Sequence, residues 1–235
     1  MLSVVIFSAL FSAKSVALST LSTVPYDPSA PAFNPAGAAW FNRLDLIYTQ
    51  EVSGRERCAA GIFPLRWFNA GGHISWGDSS WTAGLSGGKR VLSWLGLGLS
   101  TDFSRDSVVA AGGAIAGFSH WSIGRIAVGS GVANIGAQPL TRLSFSWTTP
   151  YSVPYLLVAQ FTRPWDRSRW DMRLGVDASF SFTSFADISL RAGYSDLQNQ
   201  KALSWGAGLG FDFASLDFAA QGLDRFFLCG QVFVR

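Results

Sequence analysis

Charge is what this sequence lacks first. Asp, Glu, Lys and Arg make up 14% of its 235 residues, against about 25% in a soluble globular domain. Lysine is almost missing, with Lys14, Lys89 and Lys201 alone, so arginine supplies most of the small net charge of +3. No basic cluster exists, which excludes a nucleic-acid-binding surface. Two cysteines, Cys58 and Cys229, are too few for a disulfide framework, and no Cys-x-x-Cys is present. Both read as small apolar residues on strands. Beyond the N-terminus there is no run of about 20 apolar residues, so no transmembrane helix is expected. Yet hydrophobic residues reach 49% and aromatics 14%. A chain this apolar without an apolar run must distribute its hydrophobic residues by alternation.

That alternation is present. In Ser168–Ser181, Trp170, Met172, Leu174, Val176, Ala178 and Phe180 share one face, and Asp171, Arg173, Gly175, Asp177 and Ser179 share the other. The period of two marks a strand with one apolar and one polar side. "ALSWGAGLGFDF", "ADISLRAGY" and "TRLSFSW" repeat the pattern. Weaker versions fill the interval from 43 to 234, giving about fourteen strands, with twelve the alternative count. Turn chemistry separates them at Ser53-Gly54, Gly77-Asp78, Gly87-Gly88, Asn134-Ile135-Gly136, Thr149-Pro150, Arg163-Pro164 and Asp196–Asn199.

A soluble β-sandwich also alternates, but it turns its apolar side inward and needs a charged exterior. Here the apolar side is bulky and aromatic, and the polar side is small and rich in glycine. Such a sheet suits lipid outside and a polar lumen inside, and closure satisfies its backbone without an edge. The fold class expected is therefore all-β, a transmembrane antiparallel barrel in the outer membrane of a diderm bacterium. Trp121, Trp147, Tyr151, Trp165, Trp170 and Tyr194 fall at strand ends, where interfacial girdles lie.

The N-terminal stretch "LSVVIFSALFSA", followed by Ser15-Val16-Ala17, reads as an export signal over residues 1–17, cleaved after Ala17. Nothing basic precedes Lys14, and a buried first strand is the competing reading. Residues 18–42 then form an N-terminal arm and plug-like segment, and 43–235 the barrel. Within the arm, "FNPAGAAWF" is a tight Asn-Pro turn flanked by aromatic residues, an unusual setting for a surface loop.

"DPSAPAFNPAGAAW" resembles the N-terminal signature of the FadL-like outer-membrane proteins, and most closely the PorV/PorQ branch. Asn34, Pro35, Ala36 and Gly37 match directly, Asp27 and Pro28 match the upstream half, and Ala38 stands where the family usually has Leu. "GIFPL" (61–65), "VANIG" (132–136) and "LSWGAGLGFDFASLDFAAQG" resemble later family strands. "FFLCGQVFVR" resembles a closing strand, although it ends on Arg235 rather than an aromatic. The resemblance implies that Asn34–Gly37 folds into the barrel as part of a plug. The competing reading is a turn that only caps the first strand.

The candidate lumen residues are Asp45, Arg142, Asp171, Arg173, Asp177, Asp187, Arg191, Asp212 and Asp217. Their mixed signs predict salt-bridge ladders across strands, with Asp177→Asn tolerated. No catalytic or metal site and no cofactor is expected. His73 and His120 are the only histidines, and neither has a carboxylate at strand spacing, so both read as interfacial or turn residues. The protein is thus expected not to be an enzyme. The resemblance implies a role in protein secretion of the type IX kind, with secretion-apparatus or secreted proteins as partners beside outer-membrane lipid. Short loops favour that role. The alternatives are FadL-like passage of hydrophobic small molecules and a purely structural barrel.

Overall fold

The computed structural model describes residues 13–17, 30–78, 80–183, 185–197 and 200–234. Fourteen strands run in chain order: β1 (Leu44–Glu51), β2 (Glu56–Pro64), β3 (Asn69–Gly77), β4 (Trp81–Leu92), β5 (Leu95–Ser104), β6 (Val108–His120), β7 (Gly124–Ile135), β8 (Leu140–Thr148), β9 (Tyr155–Pro164), β10 (Asp171–Ser181), β11 (Ala186–Leu197), β12 (Gln200–Phe211), β13 (Ala214–Gln221) and β14 (Arg225–Val234). Each pairs antiparallel with its sequence neighbours, and β14 pairs with β1 to close the barrel. Closure leaves no free edge, so every strand finds partners for its backbone on both sides.

The period-two pattern decides which side faces in. On β1, Asp45, Ile47, Thr49 and Glu51 are buried, while Leu46 and Tyr48 between them are exposed. Outside, Leu85, Leu99, Leu143, Phe145, Leu174, Leu190, Leu203, Leu216 and Leu228 all stand exposed, and they come from many strands around the circumference. A continuous apolar exterior of this kind cannot face water; it is a lipid-facing belt. The turns alternate between two ends. At the end where β1 begins and β14 finishes lie Trp121, Tyr151 and Trp147, whose indole N–H donates to the Ile123 carbonyl at 2.7 Å. At the far end lie Trp165 and Trp170, the latter under Arg163. No connection between strands exceeds six residues.

Two register shifts interrupt the ladder, between Arg90 and Leu92 and between Ala110 and Gly112. The seam at β14–β1–β2 is tied at the far end by Arg225, which reaches Glu51 at 3.1 Å and Glu56 at 3.2 Å. Cys58 and Cys229 both face inward and flank Thr49, one on each neighbouring strand. Two strand spacings separate them, about 10 Å, which is too far for a disulfide.

Two expectations from the sequence fail here. The turn expected at Gly87-Gly88 does not exist: β4 continues to Leu92, and the chain reverses at 93–94. Asp212 does not line the bore. It sits exposed in the two-residue connection between β12 and β13, because those strands already part beyond the Gly210–Ser215 pair.

Candidate functional site: a stoppered bore

The chain segment ahead of β1 enters the barrel. Ala30–Ala32 and Pro35–Trp40 form two 3-10 turns, and Pro35 to Phe41 are all buried. Asn34 caps the second turn. Its side-chain oxygen accepts from the Ala36 N–H at 3.1 Å, and Pro35 at the first position needs no partner for the N–H it lacks. The Asn34 amide nitrogen donates at 3.4 Å to the Ala114 and Ser130 carbonyls of β6 and β7. Asn34, Pro35, Ala36 and Gly37 therefore lie inside the bore, not at its rim. Asp27 and Pro28 fall outside the described residues.

The wall is shaped for this stopper by what it omits. A Cβ on Gly88 would lie 2.7 Å from the Ala39 nitrogen, and one on Gly96 would lie 2.9 Å from the Trp40 Nε1. At Gly98 it would overlap the Pro35 and Ala36 backbone, and at Gly113 the Asn34 side chain. These inward glycines of β4, β5 and β6 are seats. That is why Gly88 is a strand residue and not a turn: the glycine is needed for close approach, not for reversal.

Polar and cationic groups then hold the segment. The Asn69 amide donates to the Ala38 and Phe41 carbonyls, both at 2.7 Å. Arg142 donates to the Phe33 carbonyl at 2.6 Å and stands 5.7 Å from the centre of its ring. Trp40 lies between two guanidiniums, Arg90 at 4.6 Å and Arg125 at 5.7 Å from its ring, each contact contributing about 0.5–2 kcal/mol. Beneath the stopper lies an apolar patch of the inner wall, where Ile115 and Ala127 pack against Ala36, Ala39 and Trp40. The seat is imperfect. The Trp40 indole N–H is buried with no hydrogen-bond acceptor, a cost of about 1–3 kcal/mol that release of the stopper would recover.

The remaining inward charges form a second network, on the β10–β1 wall. Arg191 pairs with Asp177 at 3.2 Å and with Asp217, whose strand is two away. It reaches over Gly208, where a Cβ would collide with both Asp217 and Arg191. Asp45 meets Arg43 at 3.3 Å and accepts from Gln231 at 3.3 Å, and Ser215 donates to Asp217 at 3.3 Å. Asp187 faces Gly210. Asp171 and Arg173 line the inner face of β10, beyond the intervening β9 from Arg142. Among the expected lumen residues, eight face inward and Asp212 does not.

Asp177 is 3% exposed and multiply paired. Its tolerance to amidation, expected from its place on the polar face, does not follow. Asp177→Asn is expected to lower stability by an amount at the low end of about 3–5 kcal/mol, since Arg191 keeps Asp217. The melting temperature in detergent checks this; an unchanged value would show the ladder to be idle.

His73 differs from expectation, whereas His120 lies at a strand end beside a turn, as expected. His73 faces inward from β3, and its Nε2 lies 3.6 Å from an Asp102 oxygen on β5. The two meet across Gly84 of β4, the same device as Arg191 over Gly208. A pairing that skips a strand leaves no trace in strand spacing. His120 ends β6, exposed, with its Nδ1 2.9 Å from the Ser122 hydroxyl. Arg90, Arg125 and Asn69 are stopper contacts that the sequence reading missed. Parity along β7 marks Arg125 as inward, whereas Arg90 was hidden by the false turn. Among the described residues no group of three His, Cys, Asp or Glu is placed to hold a metal ion.

The bore also holds a third piece of chain, against the β11–β14 and β1 wall. Residues 1–12 lie outside the described residues, but Ala13–Ala17, the end of the expected signal, forms a short helix, α1, inside the barrel. Ala17 is fully buried, and the Ser204 hydroxyl donates to its carbonyl at 2.9 Å.

A closed, even-stranded barrel with a lipid-facing belt and a polar lumen is a bacterial outer-membrane β-barrel, and solved structures share the fold. The Acinetobacter baumannii outer membrane protein Omp33 matches with a TM-score of 0.57 at 10% identity, over 82% of this chain and 96% of that one. The Pseudomonas putida toluene transporter TodX matches at 0.56 and 9% identity, over 95% and 96% of the two chains. The Ralstonia pickettii toluene transporter TbuX gives 0.54 and 11%, with the same coverage. No family model and no curated protein matches the sequence.

Proposed function

We propose that the barrel is a passage for small hydrophobic molecules across the outer membrane, gated by its N-terminal stopper. The observation that carries this reading is the apolar patch under the stopper. Ile115 and Ala127 are buried in one cluster with Trp40, Ala36 and Ala39 of the stopper. A water-filled porin has no use for such a patch, since wetting it is unfavourable by about 25 cal/mol per Å2. A hydrophobic solute that replaces the stopper there loses little. Two barrels that match nearly the whole chain are described as toluene transporters, which agrees with the reading at the level of fold.

The secretion role expected from the PorV/PorQ resemblance drew on the short loops. Short loops do not weigh against small-molecule passage here, because the separation of the two sides is made inside the bore by the stopper. No observation in the bore calls for a protein partner. Catalysis is not part of the proposal: His73 and Asp102 are used in a buried pair beside the stopper's seat.

The test is uptake. Cells carrying the barrel are expected to take up a small aromatic hydrocarbon faster than cells lacking it, with no gain for a sugar of similar size. Asn69→Ala removes two of the stopper's hydrogen bonds, each worth about 0.5–1.5 kcal/mol. It is expected to raise hydrocarbon uptake several-fold. Equal uptake with and without the barrel, or a gain for the sugar alone in the wild type, would rule the reading out.

A further inference from the structure

The chamber that α1 fills has a chemistry of its own. At one end it is apolar: Val16 and Ala17 pack against Ile47, Ala219 and Phe227, the last two fully buried. At the other end it is acidic. Asp177, Asp187, Asp217 and Asp45 face this part of the bore from four strands, and the guanidiniums of Arg191 and Arg43 are the cations that the wall supplies to them. Among the described residues, four carboxylates against two guanidiniums leave this wall short of positive charge. Lys14 makes up part of the shortfall, with its Nζ 3.5 Å from Asp177 Oδ2. Even so, Asp177 Oδ1 is buried with no hydrogen-bond partner. A cavity of about 230 Å3 adjoins Lys14, Arg191 and Asp217.

A buried carboxylate in a low-dielectric bore is stable only when paired. This chamber therefore demands a cation, and it offers a specific place for one. It also demands an apolar body of modest width. The wall leaves no room beside such a body: a Cβ on Gly206 would lie 2.5 Å from the Phe218 carbonyl oxygen of the neighbouring strand and 2.7 Å from the Ala17 methyl carbon. At the apolar end, the Ser204 hydroxyl donates one hydrogen bond inward. Lys14, Val16 and Ala17, which satisfy all of this, lie at the end of the stretch that reads as a removable export signal.

We propose that the chamber is a binding site for a small protonated amine with an apolar body, and that Ala13–Ala17 occupies it as a tethered surrogate. Lys14 stands for the ammonium, Val16 and Ala17 for the apolar body, and the Ala17 carbonyl for an acceptor opposite Ser204. Export cleavage after Ala17 would vacate the site in the mature barrel. This narrows the cargo class of the passage reading, on which it rests for its use, but binding is measured without flux. A failure here leaves the hydrocarbon-uptake test standing.

The protein is purified from the outer membranes of cells expressing the whole chain, and its N-terminus is read by intact mass. Binding of n-hexylamine, hexan-1-ol and hexanoate is followed by calorimetry in detergent. The processed protein is expected to bind hexylamine at least about tenfold more tightly than hexanol, the advantage of one charge-assisted contact, and to bind hexanoate least. Asp177→Asn should erase the amine advantage. Ala219→Leu, which leaves every charge in place, should weaken all three by filling the apolar end. Heat-modifiable gel migration confirms that each variant is a folded barrel. Equal binding of amine and alcohol overturns the proposal. So does a mature chain whose mass retains Lys14, because its own segment then fills the site.

Discussion

Gly98→Val is expected to drive the stopper out of the bore while leaving the barrel intact. The added side chain would meet the Pro35 carbonyl and the Ala36 nitrogen. These are backbone atoms and cannot rotate aside as a flexible side chain could. Overpacking of a filled site costs about 1–3 kcal/mol or more, which shifts the seated-to-released balance by about 5–150-fold. Single-channel recording should show a conductance absent from the wild type, and limited proteolysis should cut the chain near Trp40. The matched control is Gly230→Val. Gly230 points toward lipid, and the nearest group to an added Cβ is the Leu216 side chain at 4.0 Å. That variant should stay closed. A closed Gly98→Val barrel would mean that the stopper is a fixed part of the wall. It would also remove the basis for gated passage.

Opposite faces of a single hairpin should respond with opposite signs to added charge. Val176 lies near the middle of β10 on the outer face, between Leu157 and Ala192 of the flanking strands. Val176→Arg places a guanidinium in hydrocarbon and is expected to cost about 2–4 kcal/mol, enough to block assembly. Leu174→Arg, one residue pair nearer the far interface, should be milder because the penalty falls with distance from the midplane. On the inner face, Ser195 stands directly opposite Arg173, whose Nε is buried without a hydrogen-bond partner. Ser195→Asp supplies that partner, a cross-strand charge pair of about 0.2–1 kcal/mol, and should assemble at least as well as the wild type. Heat-modifiable migration after expression reads all three. Equal tolerance on both faces would point to a soluble sheet packed on a core.

The two results bear on different layers of the same design. The lipid-facing charge tests what makes the chain a membrane barrel. The inward valine tests what makes the barrel closed. A protein that fails the second but passes the first is still an outer-membrane barrel, but not a gated one.

The alternation of Trp170, Met172, Leu174 and Val176 with Asp171, Arg173 and Asp177 was enough to place one face in lipid and one in a lumen. Parity along a strand is a local property: successive side chains point to opposite sides whatever the strand pairs with. The strand count, the lipid belt and the inward direction of residues such as Asp45 and Arg191 were legible for that reason. Cross-strand neighbours are not local. They depend on the register that each turn sets and on closure of β14 against β1. Hence only the tertiary structure could show His73 meeting Asp102 across Gly84, Arg191 meeting Asp217 across Gly208, and Asn69 holding the stopper's carbonyls. Gly87-Gly88 illustrates the limit. In sequence, two glycines signal a turn, because glycine relieves backbone strain. In the barrel, Gly88 is there because another piece of chain, about fifty residues earlier, comes too close for a side chain. Both uses follow from the same missing Cβ, and only the folded neighbourhood decides which one applies.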